Sequence, residues 1–281
     1  MINLKHINWR KYQGILIPDH PPHIEVDITQ RDKKELIKKT KAYLIRWITN
    51  WDCSVKTEFW YVIKDTFQGM EELSSNTRSK VRRGMKKCTI KKIPPDILRE
   101  KGYEVYIKAF DRYETYLKPE SKQVFIDDIN ALDEKKWDFW GVFHEPDQKL
   151  IGYSQNLVQN DVCEYKTLKF DPEYMKNYSS YALLYRMNEY YFLNQKLKYV
   201  NDGARSISHQ TNIQDFLIEK FKFRKAYCLL NIFYRRDIGF FVSILHPFRG
   251  LFNRINIQAL KKVAVLLIQE EIRRNCQSKK G

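Results

Sequence analysis

Between positions 201 and 212 the chain reads NDGARSISHQTN, which gathers Asp202, Arg205 and His209 in one polar segment. An imidazole titrates near pH 6.5 on average, so His209 can relay a proton from an attacking amine or hydroxyl at neutral pH. Asp202 and Arg205 can orient it or hold an anionic group of an acceptor. The same letters also fit a plain connection, with Asp202-Gly203 as a turn, His209 as a loop residue and Thr211 or Asn212 as a helix cap. A second charged feature is SSNTRSKVRRGMKKC. Helical spacing puts Arg78, Arg82 and Lys86 on one line, with Val81, Met85 and Cys88 on the apolar side. That line either grips phosphates or is solvated. It lacks the interleaved aromatics that stack bases. His20 and His23 in DHPPH are spaced like metal ligands, but no neighbouring Cys or third His completes a set, so no metal is expected.

The elements that must position these groups follow from residue pattern. WDFWGVFHE, KLIGYSQNLVQND and VCEYKTLKF are rich in aromatic and β-branched residues and predict a three-strand meander. DPEYMKNYSS is a polar loop. SSYALLYRMNEYYFLNQK carries Leu183, Leu184, Met187 and Tyr191 at helical spacing behind two serines able to cap it. KLKYVNDGA, TNIQDFLIEKFK and FRKAYCLLNIFYRR then predict strand, helix and strand. Upstream, TIKKI is a short strand, followed by helices in PPDILREKGYEVYIKAFDRYETY and SKQVFIDDINALDEK. In the first 56 residues YQGILIP predicts a strand and QRDKKELIKKTKAYLIRWITNW a single helix, and FWYVIKD adds another strand after them. Beyond Arg236, FFVSILHPFRGLFNR leads into the apolar helix INIQALKKVAVLLIQEEIRRN with its basic tail.

This order, with LKFDPEY entering the loop and IEKFKFRKAY leaving the last helix, resembles the GNAT superfamily of acyl-CoA-dependent acyltransferases. TEFWYVIKD followed by MEELSSNTRSKVRRGMKKCTIKKI resembles the entry to its Fem-type branch, which includes peptidoglycan bridge aminoacyl transferases and cell-surface polysaccharide acyltransferases. Together the likenesses cover about residues 57 to 237. They imply an α/β (α+β) GNAT-like fold, with a central mixed, mostly antiparallel sheet flanked by helices. They also imply a coenzyme A pyrophosphate held by backbone N–H groups at a helix N-terminus. Carried over, the donor-binding positions are Leu168 and Phe170 at the strand end, Lys176, Asn177, Tyr178, Ser179, Ser180 and Tyr181 in the loop, and Asn212 on the next helix. Tyr178 and Ser180 stand where the family has loop glycines, and Lys176 can compensate by charge. Lys222-Phe223 replaces the family's Gly-Phe pair, and Ile218 stands where a Tyr general acid is common. A carboxylate on the central strand serves such enzymes as base, which points to Glu164. Alternation places Glu164 and Lys166 on one strand face and Cys163 and Tyr165 on the other. The acceptor loop falls around Leu117 to Lys122.

With 281 residues, 43% hydrophobic and 30% charged, the chain can bury a substantial core. No apolar run approaches the roughly 18–20 residues that span a bilayer. MINLKHINWRKYQ lacks the apolar core of a secretion signal. Five scattered cysteines, an odd number without C-x-x-C, fit reduced thiols in a cytoplasmic protein. A net charge of +16 favours anionic partners: coenzyme A, tRNA, a phosphorylated sugar carrier or an anionic membrane face. Three segments are expected: residues 1–87 as an N-terminal extension, 88–237 as the acyltransferase-like domain, and 238–281 as a helical appendage. The expected function is an N- or O-acyltransferase of the N-acetyltransferase type. It passes an acyl group from acyl-CoA, such as acetyl-CoA, to an amino or hydroxyl group of a cell-surface saccharide precursor. The alternatives are an aminoacyl-tRNA-dependent transferase and a non-catalytic module that binds RNA or a peripheral membrane surface.

Overall fold

The computed structural model describes residues 2–112, 118–207, 212–252 and 258–278. They pack as two compact units, one built from Met1–Tyr61, Ala204–Asn212 and Lys225–Gly281 and the other from Val62–Gly203 and Ile213–Arg224.

The first unit opens with a hairpin of β1 (Ile2–Leu4) and β2 (Ile7–Tyr12). Its turn residues Lys5 and His6 have φ of 53° and 63°, the left-handed pair whose twist matches that of the strands. β3 (Ile15–Pro18) pairs antiparallel with β2. Helix α1 (Gln30–Thr40) starts at a capping box in which Thr29 and Asp32 satisfy each other's backbone. It stops at Lys41, which is left-handed. The single helix expected through Trp47 is therefore two elements, because Leu44–Thr49 becomes β4, parallel to β3. LIRWIT is aliphatic, β-branched and aromatic, and burial of Leu44 and Ile45 outweighs continuation of the helix. Trp9, Leu16, Leu36, Ala42 and Ile45 form the core beneath α1. β5 (Phe59–Lys64) leads out of this unit.

In the second unit, α2 (Ser75–Lys87) is capped by Ser74, whose hydroxyl accepts from the Thr77 N–H. Then come β6 (Cys88–Lys92), α3 (Pro95–Phe110), α4 (Lys122–Asn130), β7 (Trp137–His144), β8 (Leu150–Gln159), β9 (Val162–Phe170), α5 (Ser179–Glu189), β10 (Tyr199–Ala204) and α6 (Asn212–Phe221). The sheet order is β10-β9-β8-β7-β6, antiparallel except that β10 runs parallel to β9. On one face Leu98, Val105, Phe125 and Ile129 of α3 and α4 cover Phe139, Phe143, Leu150 and Tyr153. On the other, α5 buries Leu183, Leu184, Met187 and, in the π-helical turn that follows, Tyr191. A polar cluster is closed there without an orphan. The Tyr191 hydroxyl donates to Asp138 at 3.1 Å and accepts from Trp140 and Asn156 at 3.0 Å each. Helix α2 lies against α5 at Gly84, where a Cβ would stand 2.6 Å from the Tyr178 carbonyl oxygen and 2.9 Å from the Ala182 Cβ. At the end of β5, Lys64 is ion-paired with Glu72 at 2.8 Å, the two side chains only 0% and 9% exposed.

The chain returns to the first unit through β11 (Arg224–Tyr234), whose Leu229–Tyr234 pairs antiparallel with all of β4. Three helices end the chain: α7 (Arg236–Leu245), α8 (Arg249–Phe252) and α9 (Gln258–Ser278). Phe59, Cys228, Leu230, Ile272 and Cys276 pack together. Glu270 accepts from Tyr234 at 3.0 Å and from Arg273 and Arg274 at 2.7 Å. No helix among the described residues is long and apolar enough to cross a membrane.

Candidate active site

The parallel ladder between β9 and β10 is short. It runs from Tyr199↔Val162 to Asn201↔Glu164 and no further among the described residues. From Tyr165 to Phe170, β9 keeps its β8 partner, and no strand among the described residues pairs with its other side, an edge of the kind that can take a guest strand. Asn201 marks the point of divergence. Its side chain donates to the Cys163 carbonyl at 3.4 Å and accepts from the Gly203 N–H at 2.9 Å. Gly203 has φ of 88°, which a side chain would resist. Just past the divergence β9 carries an irregularity: Gln155 pairs with Thr167 and Asn156 with Tyr165, leaving Lys166 unmatched in the ladder. Such a bulge re-aims neighbouring side chains.

Asp202 and Glu164 meet at this opening. Burial raises the Asp202 carboxyl to about 7, a hydrogen bond from Gln214 opposes the shift and the nearby Glu164 charge adds to it. Glu164 is ion-paired with Lys166 at 2.5 Å on the same strand face, while Cys163 and Tyr165 are buried on the other. The Tyr165 hydroxyl donates to Asn188 of α5 at 2.8 Å. A carboxylate that titrates near neutrality can be ionised to accept a proton and still release it. The sequence marks Asp202 as a group that orients His209 or holds an acceptor's anionic group, or as part of a turn; its half-buried place beside Glu164, which no local spacing encodes, is what raises its affinity for a proton. His209 lies outside the described residues, as does Leu117 of the expected acceptor loop. Arg205 belongs to the first unit, where its guanidinium stacks over Trp60 at 4.5 Å and donates to the Glu58 carbonyl.

The expected donor loop is ordered by α3. Lys108 bridges Asp171 at 3.0 Å and Glu173 at 2.7 Å, and these hydrogen-bonded carboxylates raise the lysine above its ordinary range. Residues Pro172–Asn177 form a 3₁₀ turn, Lys176 is exposed, and Tyr178 is left-handed at φ 56°. No side chain caps α5. Its first intrahelical bond is Ala182 N–H to the Tyr178 carbonyl, so the N–H groups of Ser179, Ser180 and Tyr181 precede the ladder. Neither serine precedes the helix as a cap. Ser179 is buried, and its Oγ has no partner among the described residues. Ser180 is half-buried. Beside them, Tyr181 packs on Phe216 and Phe221 of α6 at ring separations of 4.9 and 6.0 Å. Lys80 of α2 sits over the Tyr181 ring at 5.2 Å. Phe170 lies over Gly152, Leu168 pairs with Ser154 across the strands, and Asn212 opens α6 exposed. The basic line of α2 borders a hollow of about 340 Å³ with Ser75, Ser79 and Arg83 joining Arg78, Arg82 and Lys86. His20 binds the Pro21 carbonyl at 2.9 Å through Nδ1.

No family model matches the sequence, and no curated protein matches it. Solved structures do. FemX aligns at a TM-score of 0.56 with 10% identity, covering 78% of this chain and 81% of that one. L-PGS from Bacillus licheniformis aligns at 0.49 with 12% identity over 95% and 86% of the two chains. The PaiA N-acetyltransferase from Thermoplasma acidophilum, solved in complex with coenzyme A, aligns at 0.31 with 20% identity over 39% of this chain and 73% of its own. The fold is thus a GNAT-like α/β fold of the kind seen in FemX, and at such identities the likeness is one of fold.

Proposed function

We propose that this chain is an acyltransferase that moves an activated acyl group onto an amine or hydroxyl by direct attack. The reading rests on one arrangement, the divergence of β9 and β10 with Asp202 at its mouth titrating near 7. An acyl donor lies along the open side of β9, and the acceptor approaches Asp202. The nucleophile's nitrogen or oxygen bonds to the acyl carbon while Asp202 takes its proton. The bond from that carbon to the leaving sulfur or oxygen then breaks, and the leaving group departs as the thiol or alcohol after protonation. Holding both reactants in one cleft supplies much of the acceleration without a covalent intermediate. Glu164, paired with Lys166, keeps a negative charge beside Asp202 and so helps hold its affinity for a proton high.

For the donor we take acyl-CoA first. The uncapped amides of Ser179, Ser180 and Tyr181 and the exposed Lys176 suit a pyrophosphate. The acceptor in this reading is a saccharide or similar precursor with an amino or hydroxyl group. Calorimetry with coenzyme A tests the donor. Ser180→Asp sets a carboxylate against the phosphates and is expected to weaken binding about tenfold or more. Equal affinity in parent and variant removes α5 from the donor site.

A second reading, an aminoacyl-tRNA donor, is favoured by two observations: Tyr181, Phe216 and Phe221 pack together between α5 and α6, and α2 borders a basic hollow of about 340 Å³ with room for more than one phosphate group. Replacing Arg78, Arg82 and Lys86 together by Gln is then expected to flatten the dependence of log affinity on log salt by about two units for RNA. An unchanged slope leaves the hollow as a solvated helix face. A parent protein that binds neither donor removes the enzyme reading in favour of a binding module.

A further inference from the structure

We infer that α7 is a membrane-docking helix that lays its aromatic face on an anionic lipid surface. In the first unit, α7 and the 3₁₀ turn after it expose large apolar side chains that a water-facing helix ordinarily avoids. Phe240 is 64% exposed, Phe241 59%, Ile244 48% and Phe248 56%. At 100° per residue Phe240, Ile244 and Phe241 fall within an arc of about 100°, and Phe248 continues the same stripe. The opposite side of the helix is already used: Val242 and His246 are buried, and His246 meets Glu271 of α9 at 2.8 Å. The exposed stripe is therefore not a core face turned outward by mispacking.

Charge selects the occupant. Arg235 and Arg236 stand at the start of the stripe, and together with Asp237, Phe240 and Phe241 they line a shallow hollow. Arg235 is held in place by Asp237 at 2.7 Å and by the exposed Tyr43 ring at 5.2 Å. Arg236 is exposed and has no ion pair among the described residues. An apolar stripe rimmed by arginine and an aromatic ring is the arrangement of a helix lying in the headgroup boundary: rings enter the acyl region and guanidinium groups meet lipid phosphates. The chain's net charge of +16 works in the same direction. A protein partner could also cover four aromatic and aliphatic side chains, but the exposed, unpaired arginine at the edge of the stripe favours an anionic lipid surface. The inference does not depend on which donor the enzyme uses.

Flotation of the full chain with vesicles tests it. Binding is expected to vesicles of phosphatidylcholine mixed with phosphatidylglycerol, and to fall about tenfold or more in a Phe240→Ser/Phe241→Ser variant, because two anchoring rings are lost. Arg236→Gln is expected to weaken binding to the mixed vesicles while leaving weak binding to pure phosphatidylcholine unchanged. The melting temperature of both variants should match the parent, since these side chains are exposed. Absence of vesicle binding by the parent overturns the inference, as does full binding by the double Ser variant. A parent that is dimeric by light scattering and becomes monomeric on the Ser changes, without vesicle binding, assigns the stripe to self-association and also overturns it.

Discussion

Asp202→Asn is expected to lower turnover about 100- to 10,000-fold, the range over which a working general base is felt, and to stabilise the protein above neutrality. The two effects have one origin. Burial lifts the carboxyl to about 7 from an ordinary 3.8, so the folded state holds a proton that the unfolded state has released across that interval. Stability from this group is therefore fully present below pH 3.8 and is lost as pH rises through about 7. Asn, which is neutral throughout, escapes that loss. The melting temperatures of parent and variant should coincide in acid and separate in favour of the variant at pH 8. The rate of the parent, measured as kcat/KM, should climb about tenfold per pH unit below its plateau and level off above about 7, because the base must be ionised to act. A variant that keeps full activity moves the base elsewhere; one that melts below the parent at pH 8 contradicts the raised affinity of Asp202 for its proton.

The second large effect is structural. Glu72→Ala leaves the Lys64 ammonium buried without its counter-charge, and removal of one partner from such a pair costs about 3–5 kcal/mol. Denaturant unfolding reads this directly. Desolvation already lowers the lysine's affinity for its proton, and Glu72 opposes that shift. In the variant the opposing charge is gone. A lysine whose folded pKa is depressed gains stability as pH rises towards its unfolded value, so the deficit of the variant should shrink at alkaline pH. Combining Glu72→Leu with Lys64→Met should recover most of the loss, because a packed apolar pair replaces a buried ionic one at little cost. A single variant within about 1 kcal/mol of the parent would show that water reaches the pair.

How far these sites were legible in the sequence depends on the range over which each is determined. Strands β7 to β9 and helices α2 to α6 are written locally, in aromatic and β-branched runs, in Ser74 as a cap and in the apolar spacing of α5. The face assignment of Glu164 and Lys166 against Cys163 and Tyr165 follows from alternation alone. The hairpin of β1 and β2 is not announced, because Lys5-His6 is an unusual pair for a turn that normally takes Asn-Gly. The α1 to β4 junction was hidden for a similar reason: Lys41 ends the helix in a left-handed conformation for which Gly or Asn is the usual signal. Ser179 resembles a cap by type and is a buried packing residue by position. The affinity of Asp202 for its proton depends on Gln214 and Glu164, which are distant in sequence, and on burial that only the assembled fold creates.

The pairing of β4 with β11 ties the history of the chain to its order of synthesis. Leu44–Thr49 has no hydrogen-bonded neighbour on one side until Leu229–Tyr234 is made. At about 5–20 residues per second that interval is roughly 10–40 s, during which the whole of the second unit is produced and can fold. The nascent N-terminal segment spends that time with an open strand edge bearing Leu44, Ile45 and Ile48, the kind of edge that recruits other chains. The first unit is thus the last to close although its first strands are the earliest made, and the yield of folded protein should be set by how well this waiting segment is kept from its neighbours.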